Sequence, residues 1–249
     1  MLIASIVSTA NLMATEVLSV STRTERRVSR VGIVMRRLGL AIAKMELPAI
    51  EKLAVEQKTE PFHVLIATML SAQTKDAVTH AASARLFRRA PNPQMMARLR
   101  LPTIEKLIFP VCFYRNKARH VKETCRQLLD RFDGRVPKTM TDLLLLPGVG
   151  RKTANLTLIV AHQSSSNICV DTHVHRIANR LGWVDTRTPG ETESALYELV
   201  ARRWWPLINL YLVTWGQNVC RPIYPRCHDC PVENLCQHIG VTRVGKSQH

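Results

Sequence analysis

The sequence predicts an all-α protein, and two observations support this fold class. Apolar residues recur at intervals of three and four along most of the chain, which is the periodicity of an amphipathic helix. No convincing alternation of apolar and polar residues marks a β-strand. Prolines and glycines divide the chain into roughly ten helical segments with short loops.

Helical patterns begin in the first third of the chain. Residues 34–55 show one that Pro48 interrupts, and a mostly apolar helix follows Pro61. The next helix, residues 77–89, has apolar residues that we expect to face the core: Val78, Ala81, Ala84 and Leu86. Pro102 suits the first turn of a short helix.

The clearest amphipathic segment is residues 114–132. Its apolar positions recur at three and four: Ala118, Val121, Cys125, Leu128, Leu129 and Phe132. Its other face is basic: Arg115, Lys117, Arg119, Lys122 and Arg126. Gly134 and Pro137 predict where this helix ends.

Capping residues predict the helices of the second half. Thr139 with Asp142 resembles a capping box. Asp171 suits the N-cap of a further helix. A helix is predicted over residues 191–202, and Pro206 suits the first turn of a last long helix.

The chain is strongly basic. Its 249 residues contain 35 lysines and arginines against 19 aspartates and glutamates, a formal net charge of +16. This imbalance favours a polyanionic partner, nucleic acid first and a membrane surface second. No apolar run approaches the ~18 residues of a spanning helix, so we expect no membrane partner. Four Trp, four Tyr and five Phe argue against a single-strand binder built on stacked aromatics.

Residues 1–33 differ from the rest, because an apolar stretch precedes arginines set among serines and threonines. One interpretation is a disordered tail, or an upstream extension whose true start is Met35 or Met45. The other is an organelle transit peptide, since such segments are rich in arginine and serine. Neither gives the segment a folded role.

The sequence Leu-Pro-Gly-Val-Gly-Arg-Lys at residues 146–152 predicts a hairpin between two helices. Gly148 and Gly150 permit a sharp reversal with positive φ. Their N–H groups would then lie beside the N-terminus of the next helix, residues 151–162, which is a site for an anion such as phosphate. A plain tight turn is the alternative.

Lys152 and Asp171 are the candidate catalytic pair. The positive end of a helix opposes a charged ammonium, and an uncharged lysine can attack an electrophilic carbon. A carboxylate such as Asp171 can stabilise a developing cation. The simpler alternatives are a solvated lysine and a plain N-cap.

Four of the seven cysteines crowd near the C-terminus with the spacing C-x6-C-x2-C-x5-C: Cys220, Cys227, Cys230 and Cys236. Four thiolates can hold either a zinc ion or a [4Fe–4S] cluster. Zinc ribbons usually pair two C-x2-C units, and this chain has one such unit here, so the spacing favours the cluster.

These residues together resemble the endonuclease III family of helix–hairpin–helix DNA glycosylases. The resemblance rests on residues 146–155 (LPGVGRKTAN), 170–176 (VDTHVHR), 70–76 (LSAQTKD) and the cysteine spacing. It extends from about residue 60 to 238, roughly three quarters of the chain. It also supports the [4Fe–4S] cluster over zinc.

The resemblance implies two helical domains that flank a DNA groove. Residues 61–163 would form a six-helix domain containing the helix–hairpin–helix motif. Residues 34–60 with 164–238 would form the cluster domain, and residues 239–249 a tail. The implied partner is double-stranded DNA with a damaged base or an abasic site, and we expect an intracellular, DNA-associated monomer.

The resemblance also implies a reaction: excision of oxidised pyrimidines, followed by β-elimination at the abasic site. Lys152 occupies the position of the nucleophile and Asp171 that of the catalytic carboxylate. Gln73 matches the residue that fills the gap left by the extruded base, and Phe113 lies where the family places an apolar wedge. The segment around Phe113, Val-Cys-Phe-Tyr, departs from the usual Gly-Leu-Tyr.

Further residues would contact or border the DNA in that interpretation: Gly148, Gly150, Arg151, Asp76 and His173. Two other functions remain open. A monofunctional mismatch glycosylase would remove T or U opposite G without cutting the strand. A non-catalytic lesion sensor would bind DNA without chemistry, although the presence of both Lys152 and Asp171 argues against it.

Overall fold

The computed structural model describes residues 23–56 and 60–247, with side chains from Arg30 onward except those of 55 and 56. This part of the chain contains helices and no strand, which confirms the all-α prediction. Its α-helices are α1 (Arg23–Ile42), α2 (Ala49–Glu56), α3 (Pro61–Ser71), α4 (Asp76–Arg89), α5 (Pro93–Arg98), α6 (Leu101–Ile108), α7 (Tyr114–Phe132), α8 (Met140–Leu144), α9 (Arg151–His162), α10 (Thr172–Arg180), α11 (Pro189–Leu199) and α12 (Trp205–Asn218). None of the described helices is both long and apolar enough to cross a bilayer.

Helix α1 corrects one prediction. Residues 23–33 were expected to lie in a disordered extension or targeting segment, but they form the first half of this helix. The correction has a packing reason, because Val31, Val34, Met35 and Leu38 follow helical spacing and are buried in a hydrophobic core. Residues 1–22 of the predicted extension lie outside the described residues.

The chain divides into two compact units, Pro48–Ser164 and the remainder, which joins the chain up to Leu47 with the chain from Ser165 onward. The predicted boundary between residues 60 and 61 differs from this division. Helix α2 packs against α3, α4 and α9, so it belongs with the central unit. The Asp76 carboxylate also accepts a hydrogen bond of 3.0 Å from the Ala49 N–H at the start of α2.

The Pro48–Ser164 unit is built around α3. Every residue from Val64 to Leu70 is buried, because α9, α4, α2 and α7 surround this helix. Helix α7 has the bounds predicted from its periodicity, and Ala118, Val121, Cys125 and Leu128 are buried as expected. It packs against α5 and α6, and it supports the hairpin described below.

The second unit contains α1 and α10–α12, followed by loops that carry the four clustered cysteines. Helix α12 is its centre, with Ile208 to Gly216 buried and with α10 and α1 packed against it. As predicted, Pro206 lies in the first turn of α12. Helix α11 begins at Pro189, earlier than expected, because Thr188 caps it by accepting a hydrogen bond from the Glu191 N–H.

Candidate functional site

The hairpin begins with a capped helix. The Thr139 hydroxyl accepts a 3.1 Å hydrogen bond from the Asp142 N–H and donates to the Asp142 carboxylate, which confirms the predicted cap of α8. Leu146 and Val149 are buried and anchor the two sides of the turn. The Thr124 hydroxyl of α7 donates to the Pro147 carbonyl at 2.9 Å and fixes the backbone between them.

The two hairpin glycines differ in what they require. Gly148 has φ +76°, and a Cβ there would lie 2.7 Å from Nδ1 of His120. Gly150 is extended, with φ −98° and ψ 178°, and apart from its chain neighbours no residue comes within 4 Å of its ideal Cβ position. The expectation of positive φ is therefore confirmed at Gly148 and wrong at Gly150. The second glycine leaves open space beside the backbone at the start of α9.

This difference predicts opposite effects for two alanine variants. Gly148→Ala should lower the free energy of unfolding by about 2 kcal/mol, because alanine is strained at positive φ and its methyl group meets His120. Gly150→Ala should leave thermal stability unchanged but weaken DNA binding, because the methyl group occupies the space where a phosphate would approach. Thermal melting measures the stability of each variant, and a titration with duplex DNA measures its affinity. A Gly150→Ala protein that binds as the wild type would contradict the phosphate site.

Lys152 lies in the first turn of α9. Gly150 is the N-cap, and its carbonyl accepts from the Ala154 N–H at 2.9 Å, so the helix begins directly after the turn. Every residue from Thr153 to Ile159 is buried, so α9 is enclosed on all sides beyond its first turn. Arg151 is exposed and Lys152 is half-buried. A primary amine is thus carried by a half-buried side chain that starts in the first turn of a helix.

Asp171 belongs to the other unit and caps α10, as predicted. One carboxylate oxygen accepts hydrogen bonds from the N–H groups of His173 at 2.8 Å and Val174 at 3.0 Å. The preceding residues are buried and tethered, since the Asn209 amide donates to the Cys169 carbonyl at 3.2 Å. The carboxylate therefore has a fixed orientation at the surface of its unit.

His173 continues a chain of contacts from this cap. Its Nδ1 lies 3.1 Å from the Arg176 guanidinium, which donates to the Cys220 carbonyl at 2.8 Å. Burial, the largest effect, lowers the pKa of Arg176 from its ordinary value. Arg176 therefore connects His173, next to the Asp171 cap, with the backbone of Cys220, the first of the clustered cysteines.

Gln73 and Phe113 lie on exposed turns of the central unit. Both adopt left-handed backbone conformations, with φ 54° and 56°, and the Phe113 side chain is 65% exposed. Asp76 follows closely, but its carboxylate caps α2 as described above. Sequence reasoning missed Lys117, which contacts the Gln73 turn. The sequence placed Lys117 on the basic face of α7. Its position next to the apolar Ala118 was the one indication that it lies near the edge of the buried face.

The four clustered cysteines line one cavity of about 30 Å³. Arg180 is buried beside them, and its guanidinium donates to the Cys220 sulfur at 3.4 Å and to the Arg221 carbonyl at 2.7 Å. The Cys236 thiol donates to the Arg180 carbonyl at 3.3 Å. Within residues 23–56 and 60–247, no three His, Cys, Asp or Glu side chains form a metal-binding group as they stand.

The environment of these thiols suits metal ligation. Burial raises the pKa of Cys230 to about 11 and also raises the pKa of Cys227 and Cys236, and the neighbouring thiol of Cys220 adds to each shift. Burial disfavours the bare thiolates of Cys227, Cys230 and Cys236, so a bound cation would supply the missing compensation. The donor set therefore fits an iron–sulfur cluster or a zinc ion.

Comparison with known proteins agrees with this geometry. Residues 66–202 match the HhH-GPD superfamily of base excision DNA repair proteins. Endonuclease III of Thermotoga maritima is 45% identical over 181 residues, which cover 73% of this chain and 84% of that protein. Endonuclease III-like protein 1 of Gallus gallus is 38% identical over 214 residues, covering 85% of this chain and 76% of that protein. The chain belongs to the endonuclease III family.

One solved structure is similar in both sequence and fold. It is a trapped covalent intermediate between endonuclease III and DNA, described as an estranged-adenine complex. It has 30% sequence identity and a TM-score of 0.74, and the match covers 84% of this chain and 95% of that one.

Proposed function

We propose that this protein is a DNA glycosylase and abasic-site lyase that excises oxidised pyrimidines from duplex DNA and cuts the strand. The observation that carries the proposal is Lys152, a half-buried amine in the first turn of α9, directly after the hairpin that contains Gly148 and Gly150. A trapped covalent intermediate between a related endonuclease III and DNA supports a mechanism with a covalent protein–DNA bond.

The reaction begins with attack of the Lys152 nitrogen on C1′ of the damaged nucleotide. A new C–N bond forms, and the base leaves with the electron pair of the glycosidic bond. Loss of the nitrogen proton and opening of the sugar give a Schiff base. Removal of a C2′ proton then expels the 3′ phosphate and nicks the strand. The target nucleotide must leave the base stack before the attack.

Asp171 assists through its charge and basicity. Its carboxylate stabilises the positive charge that grows on the sugar and helps to deprotonate Lys152. One of its oxygens is oriented by the His173 and Val174 N–H groups, so the group is fixed before the substrate arrives. Such preorganisation avoids the cost of reorienting a dipole during the reaction.

Binding to the duplex uses the hairpin and the exposed basic residues. Arg151, Arg115 and Arg119 are exposed in the same unit as Gly148 and Gly150 and supply phosphate contacts. The affinity should therefore fall steeply with salt, by a slope of about 0.9 for each phosphate contacted. Gln73 enters the gap in the duplex, and Phe113 separates the neighbouring base pairs.

Cys220, Cys227, Cys230 and Cys236 would hold a [4Fe–4S] cluster. Their placement around one cavity supports this assignment, and so does the spacing that this chain shares with the family. When bound, the cluster supplies a covalent crosslink for loops that have little hydrophobic core of their own. Arg180 holds these loops through their carbonyl groups.

One assay separates the candidate functions. The protein is incubated with two duplexes, one that contains an oxidised pyrimidine and one that contains T opposite G, with and without borohydride, and base release, strand scission and covalent adduct are measured. A bifunctional enzyme gives all three. Base release without scission or adduct would support the mismatch-type glycosylase, and binding without base release would support the lesion sensor.

Replacing Asp171 with asparagine tests its charge separately from its capping role. Asparagine can accept the same two N–H hydrogen bonds, so thermal stability should be preserved. The excision rate should fall by roughly 10²- to 10³-fold, because the negative charge is lost. Asp171→Ala, by contrast, should also lower the free energy of unfolding by about 1 kcal/mol. If single-turnover excision by Asp171→Asn stays within about threefold of wild type, the carboxylate is not catalytic.

A further inference from the structure

Lys117 makes an unusual set of contacts for a lysine on an amphipathic helix. Its Nζ donates to the carbonyl oxygens of Leu70 at 2.7 Å and Ala72 at 2.5 Å, and to the Thr74 hydroxyl at 3.2 Å. The two carbonyls lie at the C-terminal end of α3, where helix carbonyls lack intrahelical partners and carry partial negative charge. An ammonium from α7 therefore closes the end of α3.

Thr74 extends this contact to a second segment. Its hydroxyl oxygen accepts a hydrogen bond from the Cys112 N–H at 3.2 Å, in addition to the one from Lys117. Gln73 precedes Thr74, and Phe113 follows Cys112. The two exposed residues are thus joined by one hydrogen-bond network, to which Lys117 contributes its ammonium group.

The backbone of both segments needs such support. Gln73 and Phe113 both have positive φ, which costs a residue other than glycine of order 1 kcal/mol and persists only where the surroundings impose it. Lys117 is half-buried, and burial lowers its pKa to about 8, although Cys112 acts in the opposite direction. Burial of a charged amine is unfavourable unless hydrogen-bond acceptors surround it, and the two carbonyls and the Thr74 hydroxyl supply those acceptors.

We infer that Lys117 is a positioning residue that locks the Gln73 and Phe113 turns into one rigid element, so that both side chains enter the duplex together as the damaged nucleotide leaves. This inference rests on the proposed function, and in particular on the roles given there to Gln73 and Phe113. In this inference Lys117 acts through the two turns, by its hydrogen bonds to Leu70, Ala72 and Thr74. Its effect should appear where a paired base must be extruded and disappear where the base is already unpaired.

The test compares one lesion in two settings, paired in a duplex and placed in a one-nucleotide bulge. Lys117→Met keeps the length of the side chain but removes its charge and donors. Single-turnover excision from the paired duplex should fall roughly 10- to 100-fold, as expected for the loss of charge-assisted hydrogen bonds. Excision from the bulge should stay within about threefold of wild type. Lys117→Arg, which keeps a donor, should recover part of the loss.

Lys122→Met is the matched control. Lys122 also lies on α7 and donates to a backbone carbonyl, that of Leu99, but it has no hydrogen bond to either turn. Its removal should leave the ratio of paired to bulged excision unchanged. Thr74→Val provides a second, milder probe, because it removes the hydroxyl that joins the two turns at nearly constant volume. Thr74→Val should also lower the ratio of paired to bulged excision. It therefore tests the inference even if Lys117→Met does not fold.

The outcomes are distinguishable. If the wild type neither releases the base nor forms a borohydride adduct, the proposed function fails. Two outcomes with an active wild type would overturn the positioning role. In one, Lys117→Met and Thr74→Val slow excision from the paired and the bulged duplex equally. In the other, they slow excision from neither duplex. A Gln73→Ala background should also reduce the effect of Lys117→Met, since residues in one network are not additive.

Discussion

Replacing Lys152 with alanine is expected to abolish strand cleavage and the borohydride-trapped adduct. Without the amine no carbon–nitrogen bond to C1′ can form, so the loss should exceed about 10³-fold. The fold should survive, because Lys152 is only half-buried and alanine is a good helix former in the first turn of α9. Affinity for the duplex should change little, since the hairpin glycines and Arg151 remain.

The measurement is a denaturing gel of a labelled abasic duplex after borohydride treatment. Lys138→Ala serves as the matched control, because Lys138 is an exposed lysine in the same unit that lies outside the hairpin. It should form the adduct as the wild type does. Adduct formation by the Lys152→Ala protein would show that another amine is the nucleophile.

Replacing Cys236 with serine is expected to prevent binding of the proposed [4Fe–4S] cluster and to destabilise its unit. The loops from Cys220 to Cys236 contain two single 3-10 turns, at Cys227–Asp229 and Glu233–Leu235, and neither turn contains a buried residue. Loss of a metal site is among the most damaging single changes, of order 5 kcal/mol. The melting temperature should then fall by roughly 10–20 °C.

Iron analysis, visible absorbance and thermal melting measure these effects together. The wild type should be yellow-brown with about four irons per chain. Cys112→Ser is the control, because Cys112 is exposed and lies in the other unit, so iron content should be unchanged. A colourless wild-type protein that contains zinc would overturn the cluster assignment while leaving a metal role for the four cysteines.

Features with a local cause could be predicted from the sequence. The bounds of α7 follow from its periodicity, and the Thr139 and Asp171 caps follow from the chemistry of their side chains. The Gly148 turn is also local. In each case the residues that determine the structure lie within a few positions of one another.

Features with a tertiary cause could not be predicted in this way. Ala81 was expected to face the core from α4 but is exposed, and Ser83 and Thr79 are buried in its place. Small residues carry little information about which face of a helix is inward, so neighbouring helices decide. Lys117 is a similar case, because the carbonyls that it contacts lie more than forty residues away in sequence.

The division of the chain also affects the order in which the protein can fold. Helix α1 buries its apolar residues in a core that includes Trp204 and Tyr211, and both of these residues are synthesised after the Pro48–Ser164 unit is complete. During synthesis the central unit can therefore fold first, because domains fold as units once their residues have emerged. Helix α1 must wait for α12, and its apolar face is exposed to chaperones and to aggregation until then.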